Sequence, residues 1–396
     1  MAAGQGFKTF TTGEVLTASD TNGYLMQGVL VFADAAARTA AITSPQEGQM
    51  SYLKDTDSVE SYSGSAWVAV GGSTAPSYFA GKNSIINGGM DIWQRGTSFT
   101  VASSTQTYTA DRWMAYRTAT GATVSQQTTS PNYSPFYTRV QRANGNTGTQ
   151  VIYLTQAIES SNSKPLANKT VTLSWWARAG ANFSAASSNM TWELAYGTGN
   201  DQNMITGFTG QTNITAGTKT LTTSWQQFTT TGTVSSTATQ VGVNFYFTPV
   251  GTAGAADYMD IADVQLELGT AATTFARTGG TIQGELANCQ RYYFRSRAGG
   301  GYAPLSGTKG AFSTTLVQIP VYFPVTMRTT PSSIEYSNLV VSDGANAIVP
   351  SNVVIGVVSP LLGAADATCT GLTQFRPYTY SDNSTSTGYI AFSAEL

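Results

Sequence analysis

The sequence predicts a mainly β protein, and three features predict it. Only 11% of the 396 residues are charged, against roughly 25% in an average soluble domain. The polar remainder is dominated by Ser, Thr, Asn, Gln and Gly, where Thr favours strands and Gly punctuates turns. Short runs alternating apolar and polar residues recur between Gly, Asn, Ser and Pro, with no sustained helical period and no tandem repeat. The length suffices for two or three domains. Composition divides it into a small mixed α/β unit (1–75), a linker (76–81, continuing the flexible "GGSTAPS" of 71–77), a central β-sandwich (82–278) and a small C-terminal β domain (281–396).

In the first unit, "VLTASDTNGYLMQG" carries a helix start at Thr17/Ser19, an apolar face of Tyr24, Leu25 and Met26, and a stop at Gly28. "VLVFAD" reads as a strand and "DAAARTAAI" as one to two helical turns. "SPQEGQMSYLKD" and "SVESYSGSAWVAV" read as strands joined near Asp55–Asp57, with a second tight turn at "SGSAW". This unit has too little apolar material for a self-sufficient core. In the second unit "FYTRVQR", "TQVIYLTQAI", "KTVTLSWWAR", "MTWELAY", "SWQQFTTTGTV", "TQVGVNFYF" and "YMDIADVQLEL" are strands of a sandwich or barrel. In the third, "GELANCQRYYF" is a short helix running into a strand. "FSTTLVQIPVYFP", "IEYSNLVVSDG", "NVVIGVVS", "CTGLTQFRPY" and "TGYIAFSAEL" are strand-like, with Pro320, Pro324, Pro331 and Pro350 at strand ends or edges.

Composition also excludes functions. Lys+Arg is 20 and Asp+Glu is 22, a net charge of −2, so no electrostatic footprint for nucleic acid or for a membrane surface exists. Histidine is absent, which removes Ser-His-Asp and Cys-His pairs and most catalytic zinc sites. Cys289 and Cys369 read as small buried residues; a single bridge between them is the alternative. The N-terminal residues show no signal-peptide pattern, and no apolar stretch reaches the roughly 18 residues of a membrane span, so no membrane insertion is expected.

The segments "NSIINGGMDIWQRGTSFT" (83–100), "YTADRW" (108–113) and "ADVQLELGTAATTFARTGGTIQGELANCQRYYF" (262–294) resemble a module of phage tail-fibre and related virion proteins. In that family a β-sandwich of the jelly-roll, carbohydrate-binding-module-like type is closed by a "VQLELG…ATxF" strand, and an "EL..CQRYY" segment leads into a small β domain. Residues 1–75 similarly resemble an N-terminal region of phage minor structural proteins. The resemblance implies a homotrimeric tail appendage of the virion, attached to other virion proteins through residues 1–75. Its partner would be host surface polysaccharide, with residues 281–396 as the distal tip. A capsid-decorating or baseplate protein without a receptor role is one alternative. A capsule depolymerase is the other, its candidate carboxylates being Glu193, Asp201, Asp257 and Asp260; no local motif selects a pair of them, and the chain is read as no enzyme.

Four tryptophans are candidate sugar platforms: Trp93 and Trp113 beside the glycines Gly88 and Gly89, and the adjacent Trp175 and Trp176. Each is alternatively core. Trp175 and Trp176 must point to opposite sheet faces, so one is buried. In the core reading of the opening stretch, Trp93 and Trp113 are buried, with Arg95 and Asp111 or Arg112 pairing. The interleaved Arg and Tyr of "CQRYYFRSR" (289–297) suit a trimer interface. By the resemblance, a structural calcium between first and last strands would lie near Asn87, Asp91, Asp260 or Asp263, although calcium needs six to eight oxygens and the spacing alone supplies fewer.

Overall fold

A computed structural model describes residues 11–21, 28–70, 80–119 and 121–396. The chain forms two compact units, Met1–Ser77 and Tyr78–Leu396. Among the described residues no helix is long and apolar enough to cross a membrane.

In the first unit a single turn, α1 (Ala18–Asp20), is closed by a capping box with Thr17; the expected apolar face at Tyr24, Leu25 and Met26 lies outside the described residues. Strand β1 (Leu30–Phe32) precedes helix α2 (Ala35–Ala41), whose N-cap Asp34 accepts the Ala37 N–H at 2.7 Å. Strands β2 (Met50–Leu53), β3 (Ser58–Tyr62) and β4 (Trp67–Ala69) complete a sheet in the order β1-β2-β3-β4, with β1 and β2 parallel. The core is small: among the described residues Ile42 and Leu53 are its buried apolar side chains. Arg38 extends it, its guanidinium 4.4 Å from the Trp67 ring centroid and paired with Glu60.

The second unit opens with the sandwich. Its strands are β5 (Ser98–Val101), β6 (Thr107–Tyr108), β7 (Met114–Arg117), β8 (Ala122–Thr128), β9 (Phe136–Arg142) and β10 (Ile152–Ile158). After a helical turn, α3 (Ser160–Ser163), come β11 (Thr170–Ala179), β12 (Asn189–Gly197), β13 (Thr212–Thr220), β14 (Gln226–Thr233), β15 (Gln240–Phe247) and β16 (Tyr258–Leu268). Two six-stranded sheets result, β13-β12-β15-β10-β7-β6 and β14-β11-β16-β9-β8-β5. From β9 to β12, and again from β13 to β16, each connection crosses to the other sheet, as expected for a jelly-roll-like sandwich. Alternation along β11 sends Val171, Leu173, Trp175 and Ala177 inward. Trp175 meets Trp192 and Phe245 of the facing sheet at ring-centroid distances of 5.6 and 5.4 Å.

The C-terminal β domain begins with α4 (Ile282–Gln290), capped by Thr281, and β17 (Tyr293–Arg297). It continues through β18 (Pro304–Gly310), β19 (Leu316–Tyr322), β20 (Ser333–Ser337), β21 (Leu339–Ser342) and β22 (Ala347–Ile348). The last strands are β23 (Asn352–Ile355), β24 (Leu362–Thr368), β25 (Pro377–Asp382) and β26 (Tyr389–Ser393). They form three sheets, β17-β26-β20, β18-β25-β21-β22 and β19-β24-β23. Pro320 is tolerated because β19 is an edge strand. Two expectations are corrected. "IEYSNLVVSDG" is not one strand: Asn338 adopts a left-handed φ of 49°, and β20 and β21 enter different sheets. "CTGLTQFRPY" is mostly loop; the strands flank it, at β24 and β25. Cys289 and Cys369 are both buried and unbridged, in separate core clusters.

The sandwich and the C-terminal domain share a charged seam. Arg95 and Arg112 both pair with Glu395, rather than Arg95 with Asp111, which instead accepts the Gln94 N–H. Arg291 and the Tyr292 hydroxyl both donate to Glu159, each at 2.7 Å. The Arg–Tyr packing expected between subunits occurs within this chain: Arg95 lies 3.5 Å from the Tyr293 ring centroid and Arg112 3.7 Å from that of Tyr292.

Candidate functional site

Three of the four candidate tryptophans are core. Trp93 is buried, stacks on Phe99 and donates its indole N–H to the Met90 carbonyl at 2.7 Å. Trp113 is fully buried and donates to the Asn87 carbonyl at 3.0 Å. Trp175 is fully buried at the centre of the sandwich. None of the three can meet a sugar ring. Trp176, one residue on, emerges on the outer face of its sheet and is half-buried.

Trp176 lines a cavity of about 270 Å³ together with Ser174, Gln227, Asp263, Tyr133 and Phe275. A bulge builds its floor: Ser174 pairs with Gln265 and Trp176 with Ala262, leaving Asp263 and Val264 both opposite Trp175. The extra residue sends Val264 into the core and Asp263, at φ 47°, to the outer face. Asp263 accepts the Ser134 hydroxyl at 2.6 Å and the Tyr133 N–H at 3.3 Å. Burial holds its carboxyl above the ordinary value, against those two hydrogen bonds. With the Asn132 amide oxygen turned toward it, the Trp176 indole N–H is satisfied at 3.0 Å. Tyr133 is exposed and stacks on Phe275, ring centroids 6.4 Å apart.

The residues named for calcium are held by other partners. Arg139 grips both oxygens of the buried Asp260 at 2.8 and 2.9 Å, and Arg178 adds a third contact at 2.8 Å. Asp91 pairs with Arg277 at 2.6 Å. The Asn87 amide donates to the Ile92 and Asp111 carbonyls and accepts the Ile92 N–H. The Asp91 charge is near enough to raise Asp263 further, and Arg277 lies beside both. Among the described residues no cluster of three Asp, Glu, Cys or His side chains is arranged for a metal. This set does not fit calcium: Asp260 is saturated by two guanidiniums and Arg277 supplies the positive charge at Asp91, leaving the buried Asp91 Oδ1 without a hydrogen bond but far fewer than six to eight oxygens for an ion.

The four carboxylates weighed for cleavage sit in four separate networks. Asp257 is buried against Arg142 and Ser184, and Asp260 is held as above. Asp201 pairs with Arg328 across the seam. Glu193 lies on the outer face of the other sheet and accepts the Tyr246 hydroxyl at 3.0 Å and the Asn244 amide at 3.2 Å.

That face holds a feature the sequence did not reveal. Tyr116 on β7, Tyr153 on β10 and Tyr246 on β15 are directly opposite one another in strand register. Their ring centroids are 6.3 and 5.0 Å apart, and all three are half-buried. The row crosses three adjacent strands and ends at Glu193 on β12. Beside it, Met204 and Phe208 cover Ala157 and Ala195, closing one end of the face and leaving the tyrosine end open. Burial, then the Glu193 carboxylate, push the Tyr246 hydroxyl up to about 12, so it remains a donor at neutral pH. Asn244 Oδ1, next to the row, is buried and has no hydrogen-bond partner. Each tyrosine comes from a different sequence segment; only strand pairing assembles them.

No family model matches the chain, and no curated protein matches it. Among solved structures, the enzymatically active domain of bacteriophage CBA120 tailspike protein 4 aligns at 14% identity and a TM-score of 0.31, over 47% of this chain and 21% of that one. A CBM4 structure aligns at 21% identity and a TM-score of 0.28, over 46% of this chain and 98% of that one. The CBM22-1 xylan-binding domain of Paenibacillus barcinonensis Xyn10C aligns at 10% and 0.29, over 49% and 98%. At these identities and TM-scores the likeness carries nothing about this chain's ligands.

Proposed function

We propose that this chain is a glycan-binding virion protein, a phage tail fibre, whose sandwich holds host surface polysaccharide along the tyrosine row. The row is the observation that carries the reading. Three in-register aromatic rings offer stacking faces at a spacing set by the strands, with an amide and a carboxylate beside them to orient hydroxyls. Electrostatic attraction has little part, given a net charge of −2. The reading is of binding without cleavage: the candidate carboxylates are tied to arginines or, for Glu193, to a tyrosine and an amide. The tail location and the homotrimer rest on the motif resemblance. Exposed apolar side chains at Val31 and Val68 of the first unit, and at Val357, Leu361 and Phe375 of the C-terminal domain, support contacts with other virion proteins and with further copies.

The test is binding of the full chain to purified host polysaccharide, with Tyr153→Ala as the variant. Removing the central ring is expected to weaken binding about tenfold, the ~1.4 kcal/mol of one aromatic contact, with the thermal transition kept. Unchanged binding by Tyr153→Ala and Tyr246→Ala overturns the reading. Gold-labelled antibodies against residues 281–396 on intact particles test the location, with label at free tail ends expected.

A further inference from the structure

The cavity around Trp176 is on the opposite sheet from the tyrosine row, and nothing in the proposed function uses it. We infer that it is a second ligand pocket, built for a single neutral sugar ring. Three observations converge. At about 270 Å³ it falls just below the roughly 300–1,000 Å³ of sites for drug-sized ligands, so it suits one ring and not a stretch of chain. Its walls pair aromatic surface, Trp176 and Phe275, with the short polar groups of Ser174, Gln227 and Thr273, the mixture that a hydroxylated ring with one apolar face requires. Its charge disfavours acids: Asp263 is the charged residue of the lining, and the neighbouring Arg277, not itself in the lining, is committed to Asp91. The Asp263 carboxylate retains acceptor capacity beyond the Ser134 and Tyr133 bonds. A neutral sugar's hydroxyl can donate to it, whereas a uronate would meet it as a like charge.

The bulge gives this pocket a structural reason. An uninterrupted β16 would keep the strand alternation that the bulge breaks opposite Trp175; instead the strand places a carboxylate beside the one tryptophan of the "WW" pair that leaves the core. The Asn132 contact fixes the indole edge, so the ring is held in place before any ligand arrives. The inference rests on the proposed function only in taking sugars as the ligand class. Two faces on one sandwich would let one chain hold a polysaccharide at two points, raising avidity without a tighter single site.

The test uses the full chain labelled with ¹⁵N at tryptophan, which gives seven indole signals; Trp176→Phe identifies one of them. Methyl glucoside, methyl galactoside, methyl mannoside and sodium glucuronate are titrated in turn. The Trp176 signal is expected to shift with at least one neutral glycoside and not with glucuronate. It should shift equally in the Tyr153→Ala/Tyr246→Ala variant. Gln227→Ala, an exposed position chosen to spare the fold, should weaken that response several-fold. Silence of the Trp176 signal with all three neutral glycosides, an equal shift with glucuronate, or loss of the shift in the double tyrosine variant overturns the pocket. If the pocket fails while Tyr153→Ala still loses polysaccharide, the proposed function stands alone. If the Trp176 signal responds while Tyr153→Ala binds normally, the pocket stands and the tyrosine row falls.

Discussion

Trp175 and Trp176 are adjacent in sequence and opposite in environment, because a strand turns successive side chains to opposite faces. Trp175 contacts rings of both sheets, so Trp175→Ala leaves a cavity between Trp192, Phe228 and Phe245. It is expected to cost about 3–5 kcal/mol. Trp176→Ala, at the outer face, should cost about 1 kcal/mol or less. Urea unfolding of the two variants checks the contrast; equal losses would place both rings in the core. Gly88 makes a different demand. A Cβ there would collide with the Val264 carbonyl, where the opening segment crosses β16 and the Val264 N–H donates to the Gly88 carbonyl at 2.9 Å. Gly88→Ala should therefore destabilise the sandwich by about 1–3 kcal/mol, read as a lowered denaturation midpoint.

At the scale of elements, alternation and turn residues made most strands legible: the seven sandwich runs read from sequence correspond to β9, β10, β11, β12, β14, β15 and β16. The strands β5 to β8, β13, β18 and β24 were among those that escaped, and two of them show why. β13, "TNITAGTKT", is an exposed edge strand with little apolar content to mark it. β24, "LGAADAT", spends small alanines on its inward positions. The short helix running into a strand read over "GELANCQRYYF" is α4 followed by β17, while the Thr281 cap that starts the helix went unread. Sites were less legible than strands. Alternation alone separates Trp175 from Trp176, but the tyrosine row needs the register of three strands from distant segments, and the Asp263 floor needs a bulge that no local residue pattern announces. Trp93 and Trp113 had no such alternation to betray them, because both sit in irregular segments.

For the whole of the second unit, the seam is the place where pH should act. Burial pushes Glu159 up, but hydrogen bonds from Arg291 and Tyr292 outweigh it and hold its carboxyl below the ordinary value. A depressed carboxyl contributes stability that is fully present above the unfolded value, about 4.3 for Glu. That contribution is lost as pH falls through the folded value. The buried Asp91, Asp263 and Glu285 carboxyls are raised and act with the opposite sign, so the informative comparison is between variants. Glu159→Gln should lower the melting temperature at neutral pH and lose less than the wild type on acidification below about pH 4. Parallel pH profiles would show that Glu159 does not carry the seam.

The seam also fixes how load passes through the molecule. The chain enters the C-terminal domain through Arg291 and Tyr292, both bound to Glu159, and then runs into β17. It returns along β26 to Glu395, held by Arg95 and Arg112. Tyr293 pairs with Ser393, so entry and return lie at the same end of two neighbouring antiparallel strands. The domain is thus mounted on two pins side by side. A force applied to the domain is therefore divided between two attachments and not carried by a single tether.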